Sequence, residues 1–195
     1  MNAEHKLSLT NKSVEQAALG AKDVLNTMQQ NMGFIPNMYA AMANSPVLLN
    51  TYASGYQLFR EQSGFNAVEQ EVIFLAISRE NGCTYCMAAH SFVADSISKV
   101  PTDITDAIRD NTLVPNDTLA QLVGFTITMV RSRGLPSKQA VDAFLGAGYS
   151  ERHILDIIQA ISVKTISNYA NHLFHTDVDD VFKGRVWSGN EIEVE

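Results

Sequence analysis

The sequence predicts an all-α fold, and three observations lead to it. Apolar residues recur three and four apart through most of the 195-residue chain, the spacing of one helix face. Capping residues and prolines precede those stretches, and glycines follow several of them. The β-branched runs are short and lack the period-two alternation of a strand.

Each element has its own signals. SVEQAALGAKDVLNTMQQNMG begins with a capping box, Ser13 with Gln16 three later, and stops at Gly33. GFIPNMY is a break, because Pro36 cannot continue a helix. In SPVLLNTYASGYQLFREQSG, Ser45 is the N-cap, Pro46 the first helical residue and Gly64 the stop. In NAVEQEVIFLAISRENG, Asn66 caps, Glu69 is the third helical residue, and Val68, Val72, Leu75 and Ala76 form an apolar stripe. Gly82 ends or kinks that helix. CTYCMAAHSFVADSISK then reads as a new helix whose first turn holds Cys83 and Cys86. Pro101 with Thr102, Pro115 with Asn116 and Asp117, and Pro136 with Ser137 mark three further starts. SERHILDIIQAISVKTISNYANHLFH is one long amphipathic helix or two. Past Asp177 the chain is polar and reads as irregular. The expected organisation is therefore one helical domain over residues 1–177, with its core in 30–175, and an irregular tail over 178–195.

Some residues read plainly. Met28, Met32, Met38 and Met42 are core or interface fillers. His172 and His175 are surface or interface residues. Trp187 is either an anchor on a neighbouring subunit or part of a loosely docked terminus. There is also an internal echo. Ala-Ile-Ser occurs at 76–78 and again at 160–162, an offset of 84. On that offset Cys83 lies over Ser167, Tyr85 over Tyr169, Cys86 over Ala170 and His90 over Phe174. A true repeat would make the second half a degenerate copy without the cysteines.

Bulk properties narrow the function. A net charge of −7, with no Lys/Arg run, argues against nucleic acid and against an anionic membrane surface. The polar start MNAEHKLSLTNKS lacks the apolar region of a signal peptide. No apolar run approaches the ~18 residues of a membrane span. The default compartment is the cytoplasm, where thiols stay reduced. There a close pair of cysteines suits catalysis or metal binding better than a structural staple.

Both cysteines of the chain lie in CTYCMAAH, residues 83–90. At a helix N-terminus, unpaired N–H groups and the positive end of the dipole favour thiolate over thiol. The Cys-x-x-Cys turn also lets the sulfurs close a disulfide. His90 lies four residues after Cys86, on the same helix face, and is a candidate base for that sulfur. Cys83 is two turns from His90, and in the first turn it is expected nearer solvent. A third group should orient the histidine. Glu71, on the preceding helix, is the best candidate if the two helices pack antiparallel. Glu69 reads as a capping residue and Glu80 as the exposed end of the helix. Two other readings stand at this point. Cys83, Cys86 and His90 form a zinc half-site that lacks a fourth ligand, or the cysteines are inert core residues.

Glu71, eleven residues, then Cys83-x-x-Cys86-x-x-x-His90 resembles the E-x11-C-x2-C-x3-H pattern of the AhpD-like alkylhydroperoxidases, of the carboxymuconolactone decarboxylase superfamily. MGFIPNMYAAMANSPVLLNTYASGYQLF, EVIFLAISRENGCTYCMAAHS and, more weakly, FLGAGYSERHILDIIQAISVKTISNYANHL also look like family segments, covering most of residues 30–175. The resemblance implies an all-α AhpD-like fold. It implies Cys86 as the peroxide-attacking thiol, Cys83 as its disulfide partner, and His90 with Glu71 as a proton relay, often through a water. The pattern departs at Tyr85, where the best-known members carry a histidine, so the relay is expected to differ.

The implied activity is a thiol-dependent peroxidase or disulfide oxidoreductase in antioxidant defence, using a hydroperoxide and a dithiol reductant. No metal, flavin or haem is implied, and no nucleic acid or membrane partner. A homo-oligomer is expected, because helical repeats of this family bury apolar faces between subunits. The alternatives are a disulfide reductase serving a partner peroxidase and a non-catalytic oligomer that senses redox state.

Overall fold

The computed structural model describes residues 2–189. Among them are nine α-helices and no strand. In order these are α1 (Leu19–Met32), α2 (Asn37–Met42), α3 (Pro46–Gln62), α4 (Ala67–Glu80), α5 (Thr84–Val93), α6 (Thr102–Asp110), α7 (Asp117–Arg131), α8 (Lys138–Gly146) and α9 (Glu151–Phe174). A π segment, Ala94–Ser98, continues α5, and a 3-10 helix, Asp180–Arg185, follows α9.

Most boundaries follow local chemistry. Gly33 closes α1 at φ 80°, a left-handed conformation that glycine adopts without a Cβ penalty. Ser45 caps α3 and Pro46 opens it. Asn66 and Glu69 make both bonds of a capping box on α4. Asn116 and Ser137 cap α7 and α8 through side-chain oxygens. The stretch from Ser150 onward forms one helix of 24 residues.

Other boundaries differ from the expectation. The Ser13–Gln16 box forms, with Ser13 N–H donating to Gln16 Oε1 at 3.1 Å. It closes only a turn, and α1 starts at Leu19, where Ala21 and Leu25 begin to bury. Gly64 does not stop α3, which ends at Gln62. Its lack of a side chain lets His153 approach, since a Cβ there would lie 2.8 Å from His153 Nε2. The supposed irregular tail holds the 3-10 helix, packed on α5. Phe182 is buried, with its ring 5.5 Å from Phe92, 6.3 Å from Tyr85 and 6.5 Å from Phe34. Trp187 is buried within its own chain and donates to the Arg109 carbonyl at 3.2 Å. Residues 190–195 of the expected tail lie outside the described residues.

The echo is not matched in form. Residues 76–90 are helix, break and helix, whereas 160–174 run through α9 without interruption. Of the methionines, Met38 and Met42 are core, Met28 packs against it, and Met32 is exposed.

Helix α4 is the centre of the molecule. Its nine consecutive residues Gln70–Ser78 are all buried, so it carries no solvent face and its apolar stripe extends all round. It packs against α5, α6, α7 and α9. Apolar side chains gather in two clusters. One, chiefly on α4, α6, α7 and α8, includes Phe74, Phe125 and Phe144, joined by Trp187 from beyond the 3-10 helix. The other, on α1, α2, α3 and α5, includes Leu25, Leu49, Tyr52 and both cysteines.

Candidate active site

The junction between α4 and α5 places the cysteines. Asn81 ends α4, and Gly82 takes φ 67°. Cys83 N–H donates to Ser78 O at 2.9 Å and Gly82 N–H donates to Arg79 O at 2.9 Å. These are the two bonds of a Schellman motif, which turns the chain sharply at a left-handed residue. The turn makes Cys83 the N-cap of α5 and Cys86 its third residue. Cys83 and Cys86 are free thiols 3.5 Å apart. Both are buried, at 1% and 2% exposure, so Cys83 is no nearer solvent than Cys86.

Helix α9 covers the sulfurs from the other side. Asn171 Nδ2 lies 3.3 Å from Cys86 Sγ and 3.7 Å from Cys83 Sγ. Ser167 Oγ lies 3.9 Å from Cys86 Sγ. One turn earlier on the same face, Lys164 is fully buried. Its Nζ has no hydrogen-bond partner among the described residues and stands 5.5 Å from the centre of the Phe74 ring.

The carboxylate that the sequence singled out is buried at this site. Glu71 Oε2 lies 2.9 Å from His90 Nδ1, and Glu71 Oε1 pairs with Arg60 Nη2. One carboxylate thus ties α3, α4 and α5 together. Arg60 also donates to Tyr56 Oη at 2.8 Å and lies over the Tyr56 and Phe74 rings. Glu69 is spent on the capping box, and Glu80 pairs with Arg131 at 2.6 Å.

The charges are set by competition between burial and neighbours. Burial pushes the Glu71 carboxyl up, but His90 and Arg60 together outweigh it and hold it below the usual carboxylate value. Burial, reinforced by Lys164, lowers His90. With Glu71 ionised, Nδ1 is the donor of that pair, which leaves Nε2 as the nitrogen that exchanges protons. Burial drives the Cys83 thiol well up, and its hydrogen bond with Cys86 adds to this. At Cys86 burial also works upward, but the Cys83 hydrogen bond, Lys164 and His90 outweigh it and bring this thiol well below its ordinary value. Cys86 is the thiolate of the pair and Cys83 the thiol.

Glu71, Cys83, Cys86 and His90 therefore meet in one place, from α4, the α4–α5 turn and α5. The sequence reasoning did not find Arg60, Lys164, Ser167 or Asn171. Lys164 left a signal, since it is the one basic residue on the inward face shared by Ile157, Ala160, Ser167 and Asn171. Tyr85, between the cysteines, points away to donate to Asp179 Oδ2 at 2.5 Å. Asp179 also accepts from Asn37 N–H at 3.1 Å. An open cavity of about 1010 Å³ lies there, lined by Phe34, Asn37 and Asp179 among others, with neither cysteine in its wall. Among the described residues no three His, Cys, Asp or Glu side chains are grouped to hold a metal ion.

Solved structures share this architecture. A peroxidase-related protein from Ralstonia eutropha JMP134, an alkylhydroperoxidase AhpD core, superposes with a TM-score of 0.80 at 19% identity, over 92% of this chain and 97% of that one. A peroxidase-related protein from Silicibacter sp. TM1040 gives 0.76 at 19% identity, over 92% and 97%. The debrominase Bmp8, solved as a cysteine-to-alanine variant with 2,3,4-tribromopyrrole bound, gives 0.74 at 18% identity, over 92% and 96%. No protein-family model and no curated protein matches the sequence. At these identities the likeness establishes the fold, which is the all-α AhpD-like one.

Proposed function

We propose that the protein is a thiol-dependent peroxidase in which Cys86 attacks and Cys83 resolves. The observation that carries this reading is a free cysteine pair 3.5 Å apart at the start of α5, on the helix that also carries His90 in its pair with the buried Glu71. The Cys86 thiolate attacks the terminal oxygen of a hydroperoxide. The O–O bond breaks, its electron pair leaves on the alkoxide, and Cys86 becomes a sulfenic acid. His90, held by Glu71, relays a proton from solvent to the alkoxide, which departs as the alcohol. Cys83 then attacks the sulfenic sulfur, its proton leaves with the hydroxide as water, and a disulfide forms. A dithiol reductant exchanges with that disulfide, becomes oxidised, and restores both thiols. A cytoplasmic setting, which keeps such a pair reduced between turnovers, belongs to this proposal.

A second reading has its own support. One fold neighbour is a debrominase solved with 2,3,4-tribromopyrrole bound, and on that likeness a bromopyrrole is a candidate substrate for this cysteine pair. Steady-state consumption of hydroperoxides, with a panel of dithiols as electron donors, tests the first reading. Turnover of hydroperoxide is expected. Its absence, with bromide released from a bromopyrrole under the same dithiols, would favour the second.

A further inference from the structure

Lys164 takes part in none of the chemical steps above, and among the described residues it is a fully buried lysine whose ammonium lacks a hydrogen-bond partner. A buried ammonium without an anion is strongly unfavourable, and a lysine in that state gives up its proton. The anions within the site are few. Both oxygens of Glu71 are engaged, one by Arg60 and one by His90. Asp179 is turned to Tyr85 and to the Asn37 backbone.

The titratable groups around Cys86 are Tyr39 from α2, Tyr52, Tyr56 and Arg60 from α3, Glu71 from α4, Cys83, Tyr85 and His90 from the α5 segment, and His172 with Lys164 from α9. Burial raises all four tyrosines, so they stay neutral. Arg60 and Glu71 cancel as a pair. Among the described residues, a Cys86 thiolate is the anion that remains to balance Lys164. The geometry agrees, because Ser167 and Asn171, one and two turns further along the same face of α9, reach Cys86 Sγ at 3.9 Å and 3.3 Å. The Phe74 ring, 5.5 Å away, is within cation–π distance and steadies the ammonium on another side.

We propose that Lys164 is a positioning residue that acts through Cys86: the buried cation on α9 that holds this sulfur as a thiolate. The proposal rests on the reading above for the importance of Cys86, but it concerns the resting enzyme and needs no peroxide. It has a redox consequence. Closing the disulfide removes the anion and leaves the ammonium without a partner, so Lys164 favours the reduced pair.

The test uses Lys164→Met, which removes the charge, and Lys164→Arg, which keeps it. Site-resolved alkylation of Cys86 by iodoacetamide is followed against pH. Lys164→Met is expected to slow Cys86 alkylation at pH 7 by about tenfold or more, with the rate recovering in alkali, because a nearby cation favours the thiolate. Lys164→Arg should keep the wild-type profile. In a dithiothreitol redox buffer, Lys164→Met should shift the equilibrium toward the disulfide by about tenfold, a change of roughly 30 mV. An unchanged alkylation profile in Lys164→Met would overturn the proposal, and so would an unchanged dithiol–disulfide equilibrium. Should Lys164→Met not fold, thermal midpoints of two near-isosteric variants decide. Cys86→Ser, which strands the ammonium, must lower the midpoint more than Cys83→Ser, and an equal or smaller drop refutes the pairing. None of these readouts uses turnover. The lysine can therefore fail while the peroxidase reading stands, and the reverse.

Discussion

At the scale of single residues, burial treats the two sulfurs alike and their neighbours do not. Cys83 is pushed up by burial and by its bond with Cys86, while Cys86 is brought down by Cys83, Lys164 and His90. The two should therefore react at different pH. Iodoacetamide should alkylate Cys86 with a midpoint below the ~8.5 of a free thiol and leave Cys83 until strong alkali. Peptide mapping after a timed pulse checks this, and preferential labelling of Cys83 at pH 7 contradicts it. Under mild peroxide the wild-type chain should lose two hydrogens by intact mass as the disulfide closes. Cys86→Ser should abolish peroxide consumption. Cys83→Ser should allow a single round, trapped as a sulfenic acid on Cys86, and block turnover by a dithiol. Sulfenic acid found on Cys83 in the Cys86→Ser protein would reverse the roles.

At the scale of elements, Glu71 joins three helices through Arg60 on α3 and His90 on α5. Glu71→Gln leaves Arg60 without its anion, a loss of about 3–5 kcal/mol for a broken buried pair. Both Glu71→Gln and His90→Gln should slow peroxide attack by roughly 10²–10⁴-fold if proton transfer is the whole effect. An unaltered rate in Glu71→Gln would remove it from the relay. The pH dependence has a definite sign. Glu71 is lowered in the fold, so its contribution is present above the ordinary carboxylate value and is lost as pH falls through the folded one. His90 is lowered too, so the unfolded chain takes up the proton first, and stability falls as pH drops below ~6.5. Urea midpoints between pH 7 and 4 should therefore fall less steeply in His90→Gln than in the wild type. The α3–α9 contact depends on Gly55, where a Cβ would stand 3.0 Å from Val163 and 3.1 Å from Gln159. Gly55→Leu should cost about 1–3 kcal/mol by overpacking, measured by urea unfolding.

At the scale of the whole molecule, the chain end is part of the fold. Trp187 is the only tryptophan, so its fluorescence reports this end alone. Native emission should be blue-shifted and should move to the red when the segment after Asp177 unfolds. Trp187→Ala should cost about 3–5 kcal/mol, measured by denaturant unfolding followed by circular dichroism. A cost near zero would mean that the segment does not dock in solution. The outward side of α9 carries exposed Leu155, Ile158, Tyr169 and Leu173, which share one helical face. We propose that this apolar face is buried in the homo-oligomer that the family resemblance implies. Light scattering at micromolar concentration should give a multiple of the 21.4 kDa chain mass, and a value near 21.4 kDa contradicts the proposal. No helix among the described residues is long and apolar enough to cross a membrane.

What the amino-acid sequence determined was local. Caps at Ser45, Asn66, Asn116 and Ser137, the glycine stop at Gly33 and the helical period were legible because each acts within one turn of chain. Cys83, Cys86, His90 and Glu71 were legible for the same reason, since their spacing lies within two consecutive helices. Tertiary structure alone decided the rest. Arg60 comes from α3, and no local spacing says that it is drawn inside beside Glu71; helical spacing puts Lys164 on the inward face of α9, but does not say that this face meets Cys86. The burial of Phe182 and Trp187 was hidden by polar neighbours, because an irregular segment shows no periodicity when it docks by a few side chains. The sense of the inequality between the two thiols was legible in CTYCMAAH, from His90 one turn after Cys86 and two after Cys83, but the buried groups that add to it were not. A helix terminus favours both sulfurs, and what separates them is burial together with their mutual hydrogen bond, to which Lys164 from α9 and His90 on α5 add at Cys86.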